Sequence, residues 1–211
     1  MNINKEKHSP EMQTIIKDYN NSVDISLCNF IKDVREGRDT LPLTVGFVSE
    51  KMALEIYNLT GLSVEGNRIV IGADDIRHIL NRHGKEGKAD SSMADDKDIA
   101  RLSYVLSNYD SIEWNGETSN FYYTKEGENA PKIVLKKRID GTYYIVEVVS
   151  DSKKKRNVVS TIYLKKASDW CNIFIEVITF RTFAGGLKTS VSFNQEKDNF
   201  TANFLLAVFF I

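Results

Sequence analysis

Two histidines and two arginines lie in one short segment, ADDIRHILNRHG, and such residues are suited to proton transfer and phosphate binding. At about 100° per residue, His78 and Arg82 fall on one face of a helix running from Asp74 to His83. His83 falls on the opposite, apolar stripe, about 140° from His78. The segment therefore predicts an amphipathic helix that ends at Gly84 and presents a polar side for chemistry.

Alternating side chains on the predicted strands provide a second surface opposite this helix. Successive residues of a strand point to opposite faces of the sheet. If the apolar face packs on the helices, the other face carries Lys132, Lys136, Glu147, Thr161 and Tyr163. The same alternation predicts that Val158 lies on the apolar face with Ile162.

These residue types suit cleavage of an RNA phosphodiester without a metal. That reaction needs a base for the 2′-hydroxyl, an acid for the leaving oxygen, and cations or hydroxyls around the charged phosphorane. The predicted catalytic residues are His78, His83, Arg82, Lys136, Glu147, Thr161 and Tyr163. Either histidine is a candidate base, with the other histidine or Glu147 assisting proton transfer. Arg82 and Lys136 are expected to hold the phosphate, with hydrogen bonds from Thr161 and Tyr163.

Each of these residues also has a structural interpretation. A histidine at a helix C-terminus is favoured there by the helix dipole, which would explain His83. His78 and Arg82 suit a solvated helix face, and Thr161 and Tyr163 suit a strand by propensity alone. Glu147 is also expected to pair with a lysine across the sheet.

Charge is unevenly distributed along a chain whose formal net charge is −1. Residues 132–166 contain ten basic and three acidic residues, whereas residues 74–128 contain seven basic and twelve acidic residues. A basic half in a neutral chain is compatible with a polyanionic partner. The predicted RNA-binding residues are Lys132, Arg138, Lys153, Lys154, Lys155 and Arg156.

Several classes of site and location are not indicated. The only cysteines, Cys28 and Cys171, are too few for a zinc site or a disulfide framework. The phosphate-binding motifs GxxxxGK[ST] and GxGxxG are absent, and no metal or cofactor is expected. A polar N-terminus and the lack of a long apolar run predict a cytoplasmic protein without a membrane segment.

The pattern of elements predicts an α+β fold: helices followed by an antiparallel β-meander, with an N-terminal helical leader. Residues 1–40 form the expected leader and residues 41–166 the main domain. Residues 167–211 form a strand-like extension of unknown role. Gly66-Asn67 predicts one hairpin, Asp140-Gly141 predicts another, and a helix is expected from Asp95 or Asp96 to Leu106.

Three motifs are the most specific parts of the region from about residue 43 to 166: HILNRHG, TYYIVEVVS and STIY. Together with VGFVSEKMALEIYNLTG, they resemble the phage- and mobile-element-borne nuclease domains of the barnase–EndoU–colicin–RelE superfamily. The resemblance implies an α+β fold and metal-independent RNA cleavage. It points to His78, His83 and Arg82, to a basic position near Lys132 or Lys136, and to Thr161 and Tyr163.

The leading hypothesis is thus a metal-independent endoribonuclease, such as a phage or mobile-element toxin, with RNA as its substrate. An immunity protein or a phage structural protein is the candidate protein partner. The alternative is a non-catalytic, phage-derived structural or RNA-binding module with a degenerate nuclease fold. A third hypothesis, a transferase acting on a nucleotide, lacks a recognisable phosphate-binding loop.

Overall fold

Helices and strands alternate at first and then give way to strands alone. A computed structural model of the chain describes residues 8–38 and 40–167. The helices are α1 (Pro10–Asn21), α2 (Ile25–Arg35), α3 (Glu50–Thr60), α4 (Ala73–His83), α5 (Asp96–Ala100) and α6 (Leu102–Ser107). The strands are β1 (Leu43–Phe47), β2 (Arg68–Ile71), β3 (Ser111–Glu113), β4 (Thr118–Tyr123), β5 (Asn129–Ile139), β6 (Thr142–Asp151) and β7 (Arg156–Lys166). The predicted α+β fold is confirmed.

The strands form a mixed sheet in the order β1-β2-β7-β6-β5-β3, and β4 pairs with β5 outside this path. Strands β5, β6 and β7 form the predicted antiparallel meander. Asp140 and Gly141 connect β5 to β6 with φ angles of 47° and 70°, as two-residue hairpin turns require. The sequence did not predict the parallel pairing of β2 with β7, which joins the first half of the domain to the meander.

The hairpin predicted at Gly66-Asn67 is wrong. Residues 63–65 form no strand, and β2 instead pairs antiparallel with β1, which precedes α3. The Val48 N–H donates to the Asn67 carbonyl, and the Gly66 N–H donates to the Val48 carbonyl. Val64 is buried in the core. The turn at Gly66-Asn67 therefore bonds to Val48, the residue after β1, and not to a strand at residues 63–65. The chain that leaves the turn as β2 pairs with β1.

The helix predicted from Asp95 or Asp96 to Leu106 is divided into α5 and α6 at Arg101. The Arg101 side chain is 12% exposed; it donates to Asp98 Oδ1 at 2.6 Å and lies 4.7 Å from the ring centroid of Tyr19. A largely buried guanidinium requires such partners, which gives a local reason for the interruption. The apolar residues expected to be buried here are buried: Ile99, Leu102, Val105 and Leu106.

The predicted helical leader consists of α1 and α2, and α2 packs against α4 and α5. Leu27 and Ile31 of α2 are fully buried in the same core as the sheet residues. The predicted boundary near residue 41 remains a prediction. The predicted extension, residues 167–211, lies outside the described residues except for residue 167. In the ranges described, no helix is long and apolar enough to cross a membrane.

Helix α4 lies beside the second half of β7. Strand β2 pairs with β7 only at residues 156–158, and α4 begins two residues after β2 ends and packs against β7. Ile76 and Ile79 anchor α4 in the core. Farther along β7, the Leu164 N–H donates to the Ser92 hydroxyl at 3.1 Å. The helix and its following loop thus replace a neighbouring strand and bring polar side chains beside the sheet.

Candidate functional site

Helix α4 packs against strand β7, and the region where they meet is named here the α4–β7 groove. The candidate residues that helix and sheet bring to it are His78, His83, Glu147, Thr161 and Tyr163. The ring of His83 stacks on that of Tyr163. Farther toward the start of α4, the charge of Glu147 acts on His78. The groove therefore places imidazole, carboxylate and hydroxyl groups near one another.

His83 is held in one orientation by two neighbours. Its Nδ1 lies 2.9 Å from Asp90 Oδ2, and its ring centroid lies 5.1 Å from that of Tyr163 with the planes 18° apart. A carboxylate that accepts from Nδ1 fixes the tautomer and leaves Nε2 as the basic nitrogen. The prediction that His83 is on the buried stripe is confirmed, since the residue is 7% exposed. Although His83 is buried, its ring contacts the polar face of the sheet, because it stacks on Tyr163.

Asp90 reaches His83 because the loop after α4 folds back onto the helix end. The Asp90 N–H donates to the Arg82 carbonyl, and a Cβ at Gly87 would lie only 2.5 Å from that carbonyl oxygen. Both Asp90 oxygens have partners, His83 and the Ser92 N–H. Burial opposes ionisation, but the hydrogen bonds from Ser92 and His83 prevail and lower the pKa of Asp90. These bonds give the loop after α4 a defined path.

Tyr163 and Thr161 supply hydroxyl groups to the groove. Burial raises the pKa of Tyr163, and the charges of Glu147 and Asp90 raise it further, so the phenol remains a donor at neutral pH. Thr161 lies opposite Glu147 in the β6–β7 pairing. Its hydroxyl is buried and has no hydrogen-bond partner within the described ranges. Because buried hydroxyls are normally paired, Thr161 is a candidate donor to a ligand.

Glu147 is positioned by a bulge in β7. The strand register shifts between Glu147 and Val148, leaving Ser160 as the extra residue. The Ser160 hydroxyl donates to Glu147 Oε1 at 2.6 Å. Bulges re-aim side chains and are frequent next to active sites. The bulge also makes the predicted face of Val158 wrong, because Val159 enters the main core in its place.

His78 and Arg82 form the exposed rim of the groove, one turn apart on α4. Burial lowers the pKa of His78, and the positive charge of Arg82 and the neighbouring His83 lower it further. Glu147 acts in the opposite direction but does not reverse the shift. His78 is therefore mainly neutral at pH 7, which is the form that a general base requires.

The two predicted lysines of the polar face occupy different positions. Lys136 pairs with Glu113 of the short strand β3. Lys132 Nζ lies 3.8 Å from Glu147 Oε1 and 3.7 Å from Glu117 Oε2. Lys132, which the sequence placed on the polar face beside Lys136, is therefore the lysine whose ion pair reaches Glu147.

The predicted RNA-binding residues are divided between the two ends of the sheet. Lys153, Lys154 and Lys155 are exposed in the turn between β6 and β7. Arg156 is 17% exposed in its side chain and donates from Nε to Asp151 Oδ2 at 3.0 Å. Arg138 pairs with Tyr143 near the opposite ends of their strands. The basic turn and Arg138 therefore do not form one continuous patch.

A pocket of about 270 Å³ lies at the N-terminal end of α4. Its polar lining residues are Thr40, Asp74, Asp75, Arg77, Tyr122 and Arg156. The carboxylate of Asp75 accepts from the Gly72 N–H at 2.9 Å. Burial raises the pKa of Asp75 to about 6 despite that hydrogen bond. Of these lining residues, only Arg156 was among the predicted site residues. The others were missed because no local sequence pattern indicates that Tyr122 of β4 lies near the start of α4.

Replacing Asp75 with asparagine should stabilise the protein by about 1–2 kcal/mol at pH 7.5, allowing for partial solvent screening. Raising the native pKa from 3.8 to about 6 means that folding favours the protonated carboxyl. The stability from this preference is complete below about pH 4 and is lost as pH rises through 6. Asparagine cannot ionise and keeps an acceptor for Gly72. The measurement is urea unfolding of both proteins at pH 3.5 and at pH 7.5. An equal gain in the free energy of unfolding at the two pH values would contradict the prediction.

Candidate metal ligands are dispersed in the part of the chain that the structure describes. No group of three histidine, cysteine, aspartate or glutamate side chains there is close enough to hold a metal ion. Cys28 has a free thiol whose pKa is raised by burial and by nearby carboxylates, chiefly Asp24. Neither feature contributes a ligand set to the groove.

One comparison with known proteins gave a match. Residues 46–172, more than half of the chain, match the model of a family described as phage-Barnase-EndoU-ColicinE5/D-RelE like nuclease3. The matched region contains α4, the meander and every lining residue of the groove. No curated protein and no solved structure matched the chain.

Proposed function

Since the chain belongs to this phage-Barnase-EndoU-ColicinE5/D-RelE like nuclease family, we propose that it is a metal-independent endoribonuclease acting at the α4–β7 groove. The observation that carries the proposal is the position of His83, bonded to Asp90 and stacked on Tyr163. Nearer the start of the same helix, burial and the charge of Arg82 lower the pKa of His78, while the charge of Glu147 acts in the opposite direction. Two imidazoles with different surroundings suit the two proton transfers of RNA cleavage.

In the proposed reaction, His78 takes the proton of the 2′-hydroxyl, and the 2′-oxygen forms a bond to phosphorus. The bond from phosphorus to the 5′-oxygen breaks, and protonated His83 donates its Nε2 proton to that oxygen. The products are a 2′,3′-cyclic phosphate and a 5′-hydroxyl. Asp90 keeps the His83 ring in place and stabilises its positive charge, as carboxylates beside catalytic histidines do. Glu147 assists proton transfer from the sheet side.

The remaining groove residues would stabilise the charged phosphorane. Arg82 at the rim supplies a planar cation that suits phosphate oxygens. Tyr163 and Thr161 donate hydroxyl hydrogen bonds, and the unpartnered Thr161 hydroxyl needs no existing bond to be broken. Lys136 is the predicted lysine of this group, and Lys132 is placed beside Glu147.

RNA would extend from the groove along the basic turn between β6 and β7. Its three exposed lysines, Lys153 to Lys155, provide sequence-independent attraction for phosphates. Lys132 and Arg156 lie at the same end of the sheet, whereas Arg138 would contact RNA only beyond the opposite end. We further propose a toxin role, with an immunity protein or a phage structural protein as the partner.

A non-catalytic RNA-binding or phage structural module is the second candidate. The burial of His83 favours it, since a 7% exposed histidine with a carboxylate partner also suits a purely structural role. In that case the protein would bind RNA through the basic turn and leave it intact.

Single-turnover cleavage of a short RNA and the matching DNA in EDTA distinguishes these candidates. The proposed nuclease cuts the RNA, leaves the DNA intact and retains its rate in the chelator. Loss of cleavage in EDTA, or equal cleavage of DNA, would contradict metal-independent attack by a 2′-hydroxyl. RNA binding without products would support the non-catalytic module.

A further inference from the structure

The pocket beside α4 contains polar groups that the proposed reaction does not use. Asp75 Oδ2 accepts from Gly72, but Oδ1 has no donor among the described residues. The Thr40 hydroxyl in the same pocket is buried without a hydrogen-bond partner within those ranges. A buried hydroxyl in a native protein is normally paired, so the Thr40 hydroxyl indicates a ligand, and the Asp75 oxygen offers that ligand an acceptor in the same pocket.

Asp75 also differs from its neighbour in a way that indicates a role in the pocket. The Asp74 side chain is 95% exposed and pairs with Arg77, whereas the Asp75 carboxylate is largely withdrawn from water and has no cation in direct contact. Keeping a buried carboxylate without a direct ion pair costs stability at neutral pH. Such a cost is common where the group serves a ligand.

The rest of the pocket suits a flat, polar ring. Tyr122 provides an aromatic surface, and aromatic side chains stack on unpaired RNA bases. Arg156 bonds to Asp151 through Nε, so other N–H donors of its guanidinium remain for a ligand. Val158 adds apolar surface to the lining. An aromatic side chain, a carboxylate and a guanidinium thus line a single pocket.

We propose that this pocket binds a guanine base of the RNA substrate. Guanine presents N–H donors at N1 and N2 that match the Asp75 carboxylate, and acceptors at O6 and N7 that match Arg156. Adenine places an acceptor at N1, which would face an ionised carboxylate, and pyrimidines offer a smaller stacking surface. The identification of the ligand as RNA rests on the proposed function.

The pocket is also correctly placed for a nucleotide at the cleavage position. Asp75 and His78 are three residues apart on α4, which is about 4.5 Å of helix rise. A base held by Asp75 would therefore leave its ribose and phosphate near His78 and the groove. The base pocket thus determines which phosphodiester reaches the histidines.

The test is the binding of short 2′-O-methyl RNAs, which lack the attacking hydroxyl and cannot be cut by the proposed route. The oligonucleotides differ at one position, which carries guanine, inosine or adenine. We expect the wild-type protein to prefer guanine over adenine by about 10- to 100-fold, the range for a good bidentate contact. Inosine, which lacks the N2 donor, should fall between them.

Asp75→Asn should abolish this preference, because the amide cannot accept from both guanine donors. Glu50→Gln is the matched control and should keep the preference, because Glu50 is an exposed acid in the first turn of α3, outside the pocket. Tyr122→Ala should weaken all three ligands, whereas Tyr122→Phe should not. Equal affinity for the three bases, or a preference that persists in Asp75→Asn, overturns the proposal. Guanine preference in a protein that fails to cut unmodified RNA would overturn the proposed function and leave the base pocket standing.

Discussion

Replacing His83 with alanine should lower the kcat/KM of RNA cleavage by about 10²- to 10⁴-fold, the usual contribution of a general acid or base. The physical reason is the loss of a ring that is both bonded to a carboxylate and stacked on Tyr163. His8 is the matched control: it pairs with Asp140 at 3.3 Å, outside the groove, and His8→Ala should leave the rate unchanged. Single-turnover rates at saturating protein are the measurement.

Because His83 is buried, its removal also affects packing, and a second variant separates the two effects. Asp90→Asn leaves the imidazole and its stacking in place but removes the carboxylate that orients it. We expect a slower rate with a near-native melting temperature, and a change in the pH–rate profile that a purely structural role would not produce. Full activity in a folded His83→Gln protein would contradict the assignment of His83.

Shortening the buried side chains of α2 should have the largest effect on the free energy of unfolding. Leu27→Ala and Ile31→Ala should each lower the free energy of unfolding by about 2–5 kcal/mol, because both side chains are fully buried in the core shared with the sheet. Ile25→Ala is the matched control; its side chain is 74% exposed, so we expect a change within about 0.5 kcal/mol. Urea unfolding followed by circular dichroism gives both values.

Deletion of residues 1–38 extends the same prediction to the boundary of the folded unit. Tyr19 of α1 makes a cation–π contact with Arg101, and α2 packs against α4 and α5. Removing the leader therefore exposes the surfaces of α4 and α5 that α2 covers. The shortened chain should fail to unfold cooperatively. A cooperative transition at the wild-type denaturant concentration would instead identify the leader as a separate module.

Local sequence patterns predicted those elements whose cause is local. Asp140-Gly141 has the chemistry of a two-residue hairpin turn, and the strands beside it pair as expected. The same logic failed at Gly66-Asn67, because a turn motif does not specify which strand will receive the chain after the turn. There, Val48 supplies the hydrogen bonds. Parallel pairing of β2 with β7 likewise depends on a contact between distant segments.

In the candidate site too, features with a local cause were predicted and features that depend on distant segments were not. Residue type and helical phase were enough to nominate His78, while the stacking of His83 on Tyr163 required the placement of α4 along β7. Asp90 was missed because its polar segment had the composition of a plain loop, although its closely spaced glycines were a signal for a tight turn. The bulge at Ser160 has no signature in simple alternation, so the phase of β7 was correct on only one side of it.

Single-turnover cleavage of an RNA with a 2′-deoxy substitution only at the cleavage nucleotide tests the central claim most directly. The unmodified RNA should yield a 2′,3′-cyclic phosphate and a 5′-hydroxyl in EDTA, and the single substitution should abolish cutting at that bond. Cutting at the deoxy position, or products with a 5′-phosphate, would contradict attack by the 2′-hydroxyl in the α4–β7 groove.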